Sequence, residues 1–412
     1  MGSSERDGAG IDPMTKVLYC HPGAEMYGSD RMAVETVVAL SAANIGVTVA
    51  VPNTGPLVDT LETRGIDHVI IDVPVLRKQI MRPLPFLKYV VKTLESGVEI
   101  ARLLRRERPT VVFVNTITQP VWILVSWFHR VPVIVHVREN ESQYPRLLRA
   151  LLVSPLRLAR LAISNSKSTQ EFIVGSRILP NRTKRLIVIY NGKDWTPYYL
   201  REPEHGGTTA RLIVVGRISP RKGQDVVIRA LAILQDRGIE CSLDLVGDVF
   251  PGYEWFADEL RQLAVDTDLA ESVTFSGFTE DIAGHLADAQ IAIVPSRMEP
   301  FGTVAAESMA AKRPTIVSET EGLVEIVTDG VTGLVVPTDD PAALAAGIER
   351  LIVDQAFYER LALAGYEHVL STFSSSAYGG QIVDSVRRVV AESSRKTVRS
   401  VDAGTRRKVT HR

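Results

Sequence analysis

Ile291-Ala292-Ile293-Val294-Pro295 runs into Ser296-Arg297-Met298-Glu299-Pro300-Phe301-Gly302, and Thr303-Val304-Ala305-Ala306-Glu307-Ser308-Met309-Ala310-Ala311 follows. The β-branched apolar run reads as a buried strand, the Pro and Gly as a turn, and the alanine-rich run as a helix over 303–311. A strand that passes through a glycine turn into a helix aims backbone N–H groups and a positive dipole end beyond the sheet, which suits phosphate. Glu299 and Glu307 sit eight residues apart at that place. Their negative charge fits an anion site only if the carboxylates reach past the phosphates to hydroxyl groups. A nucleotide sugar carries both kinds of group.

Outward from this stretch the same rhythm repeats. Short apolar runs occur at 16–20, 46–51, 68–71, 110–114, 133–137, 161–164 and 186–190, with longer helical patterns between them. The pattern restarts at 211–215, 242–246, 272–275, 291–294, 315–317 and 333–336. Strand and helix alternating in this way predict parallel α/β sheets covered on both faces. Residues 194–210 are polar, hold two prolines and Gly206-Gly207, and show no period, so they read as a linker. Two doubly wound domains are therefore expected, at 15–193 and 211–373, with ligands at the carboxyl ends of the strands and a cleft where the domains face. Ile382, Val383, Val386 and Val389 have helical spacing within 374–392. Residues 393–412 are basic and patternless, and are expected to be disordered. Residues 1–14 read as a leftover of expression, with the native start at Met14.

Composition excludes several classes. The chain has 412 residues, 45% apolar and 23% charged, with a net charge of −1, so nothing pulls it globally toward nucleic acid. Cys20 and Cys241 fall in strands of different halves, which argues against a disulfide framework or a cysteine metal site. No apolar run is long enough to span a bilayer, since the stretch 121–137 is broken by His129, Arg130 and Pro132. A cytoplasmic protein is expected, with peripheral contact at the inner face of the plasma membrane as an option. That option comes from 146–161, where leucines alternate with Arg146, Arg149, Arg157 and Arg160. A core helix with a charged rim is the favoured reading of the segment, and rest on an anionic membrane the alternative. Asp266-Thr267-Asp268 has a metal-binding spacing but lies after a helix rather than at a strand end, so it reads as a solvated turn. Neither half has a G-x-G-x-x-G after its first strand, which weighs against a dehydrogenase.

Two further runs flank the central stretch. Val215-Gly216-Arg217-Ile218-Ser219-Pro220-Arg221-Lys222-Gly223 lies upstream, and Gly322-Leu323-Val324-Glu325 leads downstream to Gly333-Leu334-Val335. Together these motifs resemble the G-R-x4-K-G, E-x7-E and G-x-x-E elements of the family 4 glycosyltransferases, retaining enzymes of the GT-B fold. The similarity is close over the C-terminal half and loose over the N-terminal half. It implies an α/β GT-B protein with two Rossmann-like domains, acceptor side first and nucleotide side second. The implied activity is transfer of a hexosyl group from a nucleoside-diphosphate sugar to an acceptor hydroxyl on a glycan, lipid or small molecule, as in bacterial surface glycan or glycolipid synthesis. No cofactor and no metal are expected, because Arg217 and Lys222 would balance the departing diphosphate.

The resemblance also assigns the remaining roles. Phe301, Gly302 and Thr303 would line the diphosphate, with backbone donors from the helix start. Glu307 would take the ribose hydroxyls, and Glu299 the 3- and 4-hydroxyls of the donor sugar. His136 would touch the sugar and leaving group, while Gly28 and Gly247 would lie along the nucleotide. Where many relatives carry Gly-Gly in the first loop, this chain has Tyr27-Gly28-Ser29. The base would meet backbone groups of Gly277-Phe278-Thr279. Arg31 and Arg138 would be acceptor or phosphate contacts or structural partners, and Asn115-Thr116 would also face the ligand. Without a convincing nucleophile, front-face departure is the implied route, the leaving phosphate oxygen taking the acceptor proton. A sugar-nucleotide epimerase, a phosphorylase and a non-catalytic nucleotide-sugar-binding partner are the alternatives.

Overall fold

A computed structural model describes residues 15–76, 83–176, 185–198 and 209–409, without side chains for 83–86 and 395–409. The leading segment 1–14, residues 199–208 of the expected linker, and 410–412 lie outside the described residues.

The strands are β1 (Lys16–Cys20), β2 (Gly46–Val51), β3 (Asp67–Ile70), β4 (Val111–Val114), β5 (Val133–Val137), β6 (Leu161–Ser164) and β7 (Leu186–Val188), then β8 (Ala210–Val215), β9 (Cys241–Val246), β10 (Val273–Gly277), β11 (Ile291–Val294), β12 (Thr315–Ser318) and β13 (Leu334–Val336). Between them run α1 (Gly28–Ala42), α2 (Pro56–Thr63), α3 (Pro83–Glu107), α4 (Pro120–Phe128), α5 (Arg146–Val153), α6 (Lys167–Gly175), α7 (Gln224–Asp236), α8 (Glu254–Asp266), α9 (Ile282–Asp288), α10 (Thr303–Ala310), α11 (Leu323–Ile326), α12 (Pro341–Val353), α13 (Gln355–Thr372) and α14 (Ser375–Val409).

All described pairings are parallel, in two sheets of order β3-β2-β1-β4-β5-β6-β7 and β10-β9-β8-β11-β12-β13. In both, the chain winds outward from the first strand, returns to its other side, and winds the opposite way. The order therefore reverses between β1 and β4 in one sheet and between β8 and β11 in the other. Loops on the two sides of such a reversal diverge and leave a crevice at the carboxyl edge, so these are the places where an open α/β sheet holds ligands.

Each sheet is apolar on both faces. In the first, Val17, Tyr19, Val111 and Phe113 pack under α1, α2 and α14, while Leu18, Cys20, Val112 and Val114 pack under α3 to α6. In the second, Leu212, Val214 and Ile293 pack under α7, α8 and α12, and Ile213, Val215 and Val294 under α9, α10 and α11. Burial of each such Val, Ile or Leu contributes about 1.5–3 kcal/mol.

The chain divides into two compact units. One holds residues 1–165, 170–189 and 378–412, and the other 166–169 and 190–377. Tyr378, Ile382, Val383, Val386 and Val389 of α14, helically spaced, join the core of the first unit. Two boundaries differ from expectation. Trp195 and Tyr198, at the start of the expected linker, are buried in the second core, where the Trp195 indole donates to Phe373 O at 2.8 Å. Their rings give a polar-looking segment a place to pack. Beyond Ser393, where disorder is expected, α14 continues to Val409. Arg, Lys and Ala make up a little under half of the residues there, and they extend a helix already nucleated on a core.

Candidate functional site

At the reversal of the second sheet, β8 leads through Gly216 and Arg217 into a tight 3-10 turn, Pro220–Lys222, and then α7. From the neighbouring strand, β11 leads through 295–302 into α10. These two loops bring Lys222 and Glu299 together, Nζ to Oε2 at 2.5 Å, with side chains 16% and 14% exposed. Burial pushes the Glu299 carboxyl up, but Lys222 and then Arg221 more than offset this and hold it below the usual carboxylate range. It is therefore ionised at neutral pH, and Lys222 donates to it with further N–H bonds available to a ligand. The Arg217 guanidinium lies over the Phe250 ring, 5.1 Å from its centroid.

A second cation, not singled out from sequence, fixes these loops. Arg297 grips Asp225 with both terminal nitrogens at 2.9 Å, donates to Pro220 O at 2.5 Å, and reaches Asp339 at 2.5 Å. Its backbone N–H also donates to Arg221 O at 2.8 Å. Burial raises the Asp225 carboxyl, yet Arg297 and Arg229 bring it below its ordinary value. The pair is a bidentate fork in a partly buried place, the strong form of ion pair. It clamps the turn carrying Lys222 to the loop carrying Glu299. The partners lie far apart in sequence, so no local pattern marks them.

Gly302 enters α10 at φ 97°, a conformation glycine adopts without a Cβ penalty, and a Cβ there would fall 2.4 Å from Leu323 Cδ2. The helix starts with no capping side chain and no acid in its first turn. Its positive end thus stands beside Glu299 and Lys222. Thr303 Oγ1 accepts from Asn191 Nδ2 at 3.4 Å. Gly247 is expected along the nucleotide for close backbone approach, and the approach it makes is internal: at φ 138°, a Cβ would lie 2.4 Å from Gly216 O. The Phe278 ring is 38% exposed, whereas its backbone N–H, expected to meet the base, donates to Asp248 Oδ1 at 3.1 Å.

Two of the expected contact residues are buried. The Phe301 ring is 3% exposed and packs on Tyr190 and Phe373, so it anchors the turn rather than lining a ligand. Glu307 is 3% exposed, and its Oε1 accepts from Lys193 Nζ and Tyr198 OH, both at 2.9 Å. Both donors come from the segment 193–198, which packs beside α10. Glu325, from the downstream run, accepts from the backbone N–H groups of Lys167 and Ser168 at 2.8 Å and from Tyr190 OH at 2.9 Å.

The other unit carries Gly28 and His136. Gly28 is the first residue of α1, and a Cβ there would meet open space. The start of this helix is occupied by Asp30, whose Oδ2 accepts from Tyr27 N at 2.9 Å and whose Oδ1 meets His21 Nε2 at 2.6 Å. Across the reversal, His21 Nδ1 lies 2.9 Å from Asn115 Nδ2, and Asn115 Oδ1 accepts from Arg138 Nε at 2.7 Å. Arg138 Nη2 donates to Tyr378 OH at 3.0 Å and approaches His136 Nδ1 at 3.3 Å. Arg31 donates to Met26 O at 3.1 Å. Both arginines thus have structural partners. Burial, and then Arg138, push the His136 imidazole well below its usual range. It is neutral, with Nδ1 accepting and its proton on Nε2. Nε2 is buried and has no hydrogen-bond partner among the described residues. Glu139 is buried, which raises its carboxyl, and is held by the Thr116 hydroxyl and the Arg138 and Ile117 N–H groups.

Asp266 ends α8 and Asp268 turns at φ 56°, as the turn reading requires. On α5, Ala150, Leu152 and Val153 are buried, but Leu147 and Leu151 stand 67% and 61% exposed, against the expectation of a core helix with only a charged rim.

Two Rossmann-like parallel sheets, one with cations, a carboxylate and a helix start at its reversal, define the GT-B architecture of glycosyltransferases. Residues 26–195 match the family model described as Glycosyltransferase Family 4, and residues 199–368 that of Glycosyl transferases group 1. This chain belongs to the family 4 glycosyltransferases and is an enzyme of that class. It is 27% identical over 286 residues to α-D-kanosaminyltransferase of Streptomyces kanamyceticus, covering 65% of this chain and 73% of that protein. It is 33% identical over 191 residues to D-inositol 3-phosphate glycosyltransferase of Nocardiopsis dassonvillei, covering 44% of each, so here the matched segment spans under half of the relative. Anabaena Alr3699/HepE, solved in complex with UDP and glucose, shares the fold with a TM-score of 0.77 at 21% identity, over 90% of this chain and 99% of that one.

Proposed function

We propose that the chain moves a hexosyl group from a nucleoside-diphosphate sugar to an acceptor hydroxyl, with retention of configuration. The observation that carries this reading is the Lys222–Glu299 pair, partly exposed where the second sheet reverses and beside the uncapped start of α10. The bond from the anomeric carbon to the β-phosphate oxygen breaks, and negative charge grows on the leaving diphosphate. Arg217, Lys222 and the first N–H groups of α10 are fixed donors for that charge, so little reorganisation accompanies its growth. Glu299 accepts hydroxyls of the donor sugar. Lys193 and Tyr198 orient Glu307 through Oε1, and the reading assigns the ribose hydroxyls to Oε2. The exposed Phe278 ring offers a face to the base. The acceptor bonds to the anomeric carbon on the face the diphosphate leaves, and its proton passes to the leaving phosphate oxygen.

The UDP-glucose complex of HepE makes that donor the first to try. Nucleoside-diphosphate release is followed over a panel of sugar nucleotides and acceptors, and the anomeric configuration of the product is read by NMR. Transfer by the wild type, with loss in Glu299→Ala, supports the reading, and an inverted product overturns its stereochemistry. Donor binding without turnover on any acceptor would favour a binding module instead.

A further inference from the structure

We propose that the outer face of α3, α4 and α5 rests on an anionic lipid bilayer. Helix α3 buries Ile100, Leu103 and Leu104 against the first sheet. It is apolar on its other side as well: Leu87, Val91, Leu94 and Val98, spaced as one helical stripe, are 48–67% exposed. Helix α4 packs on α3 and exposes Leu124, Trp127 and Phe128, the last at 78%. The short turn that continues α5 packs on α4, and α5 itself exposes Leu147 and Leu151. Because these helices bury their inner sides against the same sheet face, their outer sides turn the same way. The opposite layer contrasts with this one. Among their described side chains, α1, α2 and α14 expose no large apolar residue.

Charge decides the occupant. Lys88, Arg102, Arg105, Arg130, Arg146 and Arg157 are exposed on these helices and the turns after them, against exposed Glu95 and Glu99. A second copy docked face to face would set these cations against each other. A bilayer with anionic head groups takes both features, burying the apolar stripe and the Trp127 ring at head-group depth while attracting these cations. No helix of the described residues is long and apolar enough to cross a membrane, so the contact is with the surface. The inference does not depend on the proposed donor chemistry, and its readout needs no turnover.

The test is co-sedimentation of the full chain with phosphatidylcholine vesicles, with and without roughly 30 mol% phosphatidylglycerol. Binding to the anionic vesicles only, weakened in ~0.5 M salt, is expected. The triple variant Leu94→Ser/Trp127→Ser/Phe128→Ser should bind at least ~10-fold more weakly with an unchanged melting curve, since all three side chains are exposed. Arg102→Glu/Arg105→Glu should do the same and serves if the triple variant folds poorly. Absence of binding, equal binding to neutral vesicles, or wild-type binding by both variants overturns the proposal. So does a dimer in light scattering that the triple variant abolishes while vesicles bind neither protein.

Discussion

The two sheets reverse their strand order in the same way, yet their carboxyl edges are filled oppositely. At β1/β4 the polar side chains satisfy one another: Asp30 holds His21, His21 meets Asn115, and Asn115 accepts from Arg138, with the first three no more than 3% exposed. At β8/β11 Lys222 and Glu299 also pair, but both keep part of their surface in solvent beside an uncapped helix start. A buried network of side chains paired with one another holds loops in place and has little capacity left for a ligand. An incompletely enclosed pair has charge to spend on one. The same topology thus builds a plug in one sheet and a receptor in the other, and loop chemistry rather than fold makes the difference.

Substitutions break this contrast in order of size. Asp30→Ala should act on stability, about 2–4 kcal/mol in urea denaturation, because His21 and the start of α1 lose a buried partner. Glu299→Gln should behave oppositely, lowering turnover ~10²-fold while costing less stability than Asp30→Ala in the same urea denaturation. Arg297→Lys keeps the charge but loses the fork on Asp225, and steady-state kinetics should show a roughly tenfold fall in kcat as the Lys222 turn loosens. Phe278→Ala should raise the donor KM by about tenfold if its ring stacks on the base.

The smallest effect is on pH dependence. The unfolded chain takes up a proton on His136 near pH ~6.5 that the buried imidazole does not accept, so stability contributed by this residue is present above that pH and is lost as pH falls below it. Melting temperatures between pH ~7.5 and ~5.5 should fall less in His136→Gln than in the wild type, by the equivalent of about 1 kcal/mol. Equal slopes would mean that the folded chain takes up that proton as readily as the unfolded one.

Much of this was legible in sequence because strands buried on both faces are nearly continuous apolar runs. Even the three-residue β7 and β13 stand out against the helices around them. Gly302 was legible as the turn at a helix entry, and Lys222 and Glu299 through the spacing of the family's motifs in the loops between strand and helix. Contacts that form across the fold were not. Arg297 finds Asp225 from another loop, Lys193 finds Glu307 from beside the aperiodic segment 194–210, and Phe301 turns inward because Phe373 waits there. For α3, an apolar pattern on two sides does not say which one meets the sheet, and only packing decides.

Calorimetric titration with a nucleoside diphosphate and with its parent nucleoside, on the wild type and on Arg217→Ala/Lys222→Ala, tests the central claim most directly. The account predicts that the wild type binds the diphosphate far more tightly than the nucleoside, and that the double variant loses most of that difference, ~10²-fold or more in affinity. Equal diphosphate affinity in the two proteins would contradict it.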